Sequence, residues 1–145
     1  MEQGNGVRTD KSRAAVVRSM QDKLRDGEEI RAVLPFTQTS KRPRIPGQTR
    51  RDRVVTGVYQ WTRRYRPLVI TSRRLFVFDG GRGGVPHGVL AEFPKEEVGV
   101  GEVTPVNYWT VRFTLDLPGV GPVPFEAGRK ERDEALKIRE LLGAP

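Results

Sequence analysis

The chain has 145 residues and no cysteine, and 26 Lys and Arg against 18 Asp and Glu give it a net charge of +8. That length supports one domain with its own core. Without Cys, disulfides, thiolate metal sites and cysteine nucleophiles are excluded. No run approaches the roughly 20 apolar residues of a membrane-spanning helix, and the opening MEQGNGVRTDKSR lacks the apolar stretch of an export signal, so a cytoplasmic protein is expected.

Residues 1–9 are polar and contain Gly, which predicts a disordered tail. Asp10 or Ser12 can cap a helix over 10–26. Val16, Val17, Met20 and Leu24 share one face of it, and Gly27 stands where a C′ glycine stops a helix. That thin stripe predicts packing on the domain. From Glu29 to Phe36 the pattern alternates, with Ile30, Ala32, Leu34 and Phe36 on one side, so a half-buried strand is expected, and Pro35 suggests an edge. The regular pattern fades over 37–65, where Pro43, Pro46 and Gly47 interrupt it. A connection this long inside a small domain is functional or disordered more often than not.

Two short apolar runs follow, Leu68-Val69-Ile70 and Leu75-Phe76-Val77-Phe78, around the polar break Thr71-Ser72-Arg73-Arg74. β-Branched and aromatic residues dominate both runs, which predicts two strands and a tight turn. Ser72 suits the turn because a Ser hydroxyl can bond backbone two residues on. Gly80 to Gly84 reads as a turn; it lacks the GK[ST] of a phosphate loop. Val89–Phe93 and Val98–Val103 are predicted short strands. Tyr108–Leu117 alternates best, with Trp109, Val111, Phe113, Leu115 and Leu117 expected toward the core. Pro118-Gly119 turns the chain into a strand over Val120–Glu126. Arg129–Leu142 switches to helical period: Ala135, Ile138, Leu141 and Leu142 form the stripe, Gly128 is the expected N-cap and Glu131 sits at N3.

Catalytic chemistry finds little support. The only histidine is His87, in a Pro-His-Gly turn. Adjacent carboxylates such as Glu28-Glu29 and Glu96-Glu97 point to opposite faces of a strand and cannot share a proton. No cofactor or metal site is expected, and the chain reads as a non-enzyme.

Charge is unevenly placed. Eleven basic residues and one acid, Asp52, lie between Lys41 and Arg74, so the remainder of the chain sums to −2. Lys41, Arg42, Arg44, Arg50, Arg51, Arg53, Arg63, Arg64 and Arg66, with Trp61 among them, are the candidate ligand-binding residues. Each basic residue near an anionic surface contributes about 1 kcal/mol, and Tyr59, Trp61 and Tyr65 can sit at headgroup depth. The same mixture can dock an acidic protein or stack on single-stranded nucleic acid.

Seven short strands followed by one amphipathic helix, an α+β and mostly β order, resembles a pleckstrin-homology-like barrel of antiparallel strands capped by its C-terminal helix, here with an extra N-terminal helix. The residues look like those of the bacterial pleckstrin-homology-like (GRAM/YokE-like) family common in actinobacteria. Gly27-Glu28-Glu29-Ile30, the stretch Leu68 to Asp79, Leu90 to Val98 and the closing helix carry the resemblance over residues 27–142. The family's recurrent Val-Thr-Asp-Arg-Arg-Leu turn is Ile-Thr-Ser-Arg-Arg-Leu here, with Ser72 in place of Asp. The resemblance implies architecture and little chemistry, and it places the long basic connection, 37–65, between the first two strands. The leading expectation is an adaptor that recognises an acidic protein partner through that connection. The alternative is peripheral binding to anionic lipid headgroups at the inner face of the membrane. Nucleic acid ranks below both.

Overall fold

The computed structural model describes residues 2–39, 65–80, 86–128 and 131–142. Among these, a helix, α1 (Glu2–Met20), precedes nine strands, and two short helices close the chain. The strands are β1 (Ile30–Leu34), β2 (Gln38–Thr39), β3 (Leu68–Thr71), β4 (Arg74–Gly80), β5 (Pro86–Pro94), β6 (Gly99–Val100), β7 (Thr104–Pro105), β8 (Thr110–Leu117) and β9 (Gly121–Gly128). The helices are α2 (Arg132–Leu136) and α3 (Ile138–Leu142). All pairing is antiparallel, in two sheets ordered β1-β3-β4-β5 and β2-β9-β8-β6, with β7 also on β8. The described strands do not close into a barrel. The strand expected over 29–36 ends at Leu34 in the first sheet; the chain bends at 35–37, and β2, at the start of the stretch where the regular pattern fades, joins the second sheet.

The first sheet departs most from a half-buried pattern. Leu68, Val69, Ile70 and Thr71 are all buried, as are Arg74 through Phe78. Leu68, Ile70, Leu75 and Val77 enter the main core, whereas Val33, Val69, Phe76 and Phe78 form a second cluster with Val16 and Met20 of α1. Continuous apolar runs are what a sheet covered on both faces requires. The clean alternation expected of β1 fails for the same reason: Ala32, Val33 and Leu34 are all buried because α1 covers the second face. The face α1 offers is the one its sequence implied, but the helix starts at Glu2, inside the stretch read as a tail, and stops at Met20. Gly27 does adopt a positive φ of 78°, in the turn closed by Glu28 N donating to Arg25 O, beyond the helix end.

The second sheet follows its sequence. In β8, Val111, Phe113, Leu115 and Leu117 are buried while Arg112 and Asp116 face water. Phe113 stands opposite Phe125 with stacked rings 5.7 Å apart. Trp109 breaks the expected series and is 57% exposed. Its backbone N–H donates to the Asn107 side chain, and Val106 N donates to Thr110 O, so a turn claims residue 109 and the alternation starts one residue later.

The closing helix is interrupted at Lys137, yet Ala135, Ile138 and Leu142 all reach the main core. Glu131 is neither the exposed N3 partner of a capping box nor a surface residue. It is buried, and it accepts from Phe36 N (2.5 Å) and Thr37 Oγ1 (3.2 Å) at the β1–β2 bend. Glu134 accepts from Val33 N (3.3 Å) and pairs with Arg13 of α1, whose guanidinium also donates to Val33 O. Side chains from both ends of the chain thus occupy the outer edge of β1, where backbone groups would otherwise invite a foreign strand.

Candidate functional site

The basic segment is tied to the fold at one point. The chain leaves the second sheet at Thr39 and returns at Tyr65, and Gln38 and Tyr65 are bridged antiparallel. Arg66 N donates to Thr37 O (2.7 Å), Phe78 N to Pro67 O (2.8 Å) and Gly80 N to Tyr65 O (3.1 Å). The Tyr65 ring meets Phe36 edge-on at 6.0 Å. A Cβ on Gly80 would lie 2.7 Å from Pro67 Cδ and 2.8 Å from Tyr65 O, so only glycine lets β4 end this close to the returning chain. Since Thr39 pairs with Phe125 and Gln38 with Glu126, β2 runs toward the β8–β9 turn, and its last residue, Thr39, lies beside the middle of β9.

Of the candidate ligand-binding residues, Lys41, Arg42, Arg44, Arg50, Arg51, Arg53, Trp61, Arg63 and Arg64 lie outside the described residues. Arg66 is described and belongs to the interior. It is 2% exposed and, from just before β3, pairs with Asp79 of β4. It enters a strand buried on both faces, where a guanidinium must meet a carboxylate. Arg74, another of the eleven basic residues, is internal too. Residues 40–64 hold eight basic side chains and Asp52, hence +7 of the chain's +8.

At the opposite end of the first sheet, Arg74, Glu28 and Thr71 form a buried polar network. Arg74 Nη2 and Nε reach Glu28 Oε1 (2.5 Å) and Oε2 (3.0 Å), and Nη2 also reaches Lys23 O (2.8 Å). Glu28 accepts further from Thr71 Oγ1 (2.6 Å) and Arg25 N (3.0 Å). The Arg74 hydrogen bond above all holds the Glu28 carboxyl down at about 2, against the upward push of burial. The Arg74 guanidinium lies over the Phe76 ring at 4.6 Å. Thr71, not Ser72, braces the turn: its hydroxyl accepts from Arg73 N (3.1 Å) and Arg74 N (2.8 Å). Ser72 instead accepts from Glu29 N (3.1 Å), tying the turn to the start of β1. Glu28 and Glu29 do face opposite ways, one buried and one in solvent. Beside the network, Arg25, Ser72, Arg73, Arg74, Glu92 and Glu96 contribute to a mixed-charge cleft of about 390 Å³.

Sequence reasoning missed Glu28, Arg74 and Glu131 as buried charges. The one legible signal was Glu28 and Arg74 flanking apolar strands, where a charged residue needs a partner. His87 is exposed near the start of β5. Among the described residues, no group of three or more His, Cys, Asp or Glu is placed to hold a metal ion, and no helix is long and apolar enough to cross a membrane. Compared with known families and curated proteins, the chain matches no family model and no curated protein.

Proposed function

We propose that this chain is a non-enzymatic binding module of pleckstrin-homology-like architecture that recognises an acidic protein partner through residues 40–64. The observation that carries the reading is the charge: +7 of +8 resides in one 25-residue segment, 40–64, whose two ends are joined at the Gln38–Tyr65 bridge. A segment of concentrated positive charge raises the encounter rate with an acidic surface and sets orientation. The architecture is supported by the strand order, since a bend between β1 and β2 that carries the chain from one sheet into the other, with helices at the C-terminal end that reach the core, fits the resemblance in the GRAM/YokE-like stretches.

The second reading, anionic lipid headgroups on the same segment, draws on Tyr59 and Trp61. Tyr65 is engaged with Phe36 and contributes less to it.

The test is fluorescence titration of the full chain with a ten-residue polyglutamate peptide, and with vesicles of phosphatidylcholine containing 30% phosphatidylserine. The variant carries Arg50, Arg51, Arg63 and Arg64 changed to Gln. Peptide binding that the variant loses supports the protein reading. Binding to vesicles alone transfers the function to lipid. No binding to either, or equal binding by the variant, overturns the assignment to this segment. Arg66 is left unchanged because its loss tests folding.

A further inference from the structure

We propose that Glu131 is a proton-operated latch on the bend that carries the basic segment, closed when the carboxyl holds its proton and loosened when it does not. A glutamate is almost never fully buried unless paired. Glu131 is 4% exposed, and its hydrogen-bond partners are Phe36 N and Thr37 Oγ1, neither of them a cation. Those two residues lie between β1 and β2, and Thr37 O also receives Arg66 N, so the carboxyl sits under both the departing and the returning chain.

The charged groups around it are few. From α1, Arg13 draws the carboxyl down but is committed to Glu134 and Val33 O. From α2 itself, Glu134 shares that arginine, while Arg132 and Asp133 are more exposed. The second sheet turns Val111, Phe113, Phe125 and Ala127 toward the core, with the Arg112–Glu126 pair on its outer face. The bend contributes the Tyr65 phenol on Phe36. Arg129 and Lys130 lie outside the described residues.

The network tolerates the proton. Thr37 Oγ1 also lies 3.2 Å from Leu34 O, so its hydroxyl can turn there and accept from a protonated Glu131. Losing the proton leaves a buried charge that the two hydrogen bonds and Arg13 do not offset. Burial accordingly pushes the carboxyl up to about 7 from 4.5. With the closed state titrating near 7 and the open state near 4.5, opening of the bend grows about tenfold per pH unit between them, roughly 300-fold in all.

The latch stands on its own geometry; its effect on recognition rests on the reading of residues 40–64 above. The experiment is a carbon-detected NMR titration of the Glu131 carboxyl in the full chain, with hydrogen exchange at the Phe36 amide, which donates to that carboxyl, corrected for intrinsic rate. A carboxyl midpoint between 6 and 8 is expected, with protection of the Phe36 amide falling as pH rises from about 4.5 toward that midpoint and levelling off above it. Glu131→Gln, a mimic of the protonated form, should retain that protection at pH 8. A midpoint near 4.5, or protection that does not change with pH, overturns the latch without any binding measurement. Absent polyglutamate binding at every pH, with the midpoint still near 7, would remove the binding reading and leave the latch.

Discussion

Replacing Arg74 with Met keeps a long apolar stem over Phe76 and removes the charge that answers Glu28. Three hydrogen bonds vanish, two from the guanidinium to the carboxylate at 2.5 and 3.0 Å and one to Lys23 O at 2.8 Å, and with them the ion pair to Glu92 at 3.6 Å. Breaking a buried pair by deleting one partner costs about 3–5 kcal/mol, because the remaining charge stays buried. That is a large part of the 5–15 kcal/mol typical of a domain, and at this size it corresponds to a Tm lower by about 10–20 °C. Urea unfolding at pH 7 reads it directly. The double change Glu28→Leu with Arg74→Met should recover much of the loss, since a matched apolar pair is often neutral. The sign with pH also follows. Glu28 titrates at about 2 when folded and near 4.5 when free, so its contribution is complete above 4.5 and is lost as pH falls toward 2. Arg74→Met should flatten that acid limb. A loss below about 1 kcal/mol, or an unchanged acid limb, would mean that Glu28 is not buried against Arg74.

Thr71→Val leaves the shape of the turn but strips the acceptor from Arg73 N and Arg74 N and the donor from Glu28, so it should cost about 1–3 kcal/mol, whereas Thr71→Ser should cost less than half of that. Gly80→Ala forces a methyl against Tyr65 O and Pro67, and thermal unfolding should show a loss of about 1–3 kcal/mol. Phe113→Ala opens the main core and should cost about 3–5 kcal/mol by urea titration, while Trp109→Ala, one strand-turn away and 57% exposed, should cost less than about 1 kcal/mol.

Periodicity located most elements because it reports which face is apolar. The hairpin at 68–78, the alternation of β8 and the stripe of the closing helix were legible on that ground, and Phe113, Leu117, Ala135 and Ile138 all reach the core. Coverage was not legible in the same way. Whether Val33 and Phe76 face solvent or a helix depends on where α1 docks, and no local spacing encodes that. The turn chemistry was read one residue late: Ser72 and Thr71 both carry a hydroxyl, and only the approach of Glu28 and Glu29 decides which one binds the turn.

Buried polar partners are harder still, because they are far apart in sequence. Glu28 meets Thr71 across 43 residues, and Glu131 meets Phe36 across 95. A charge count treats every arginine as equal, yet burial sorts them by what they neutralise. Arg66 answers Asp79 and Arg74 answers Glu28, so neither adds to the field outside the protein. Subtracting them from the basic run does not weaken the case for a recognition segment; it moves the charge to 40–64. A binding experiment that neutralised Arg66 along with Arg63 and Arg64 would then confuse two effects, since an uncompensated Asp79 beside β3 weakens the base from which the segment departs.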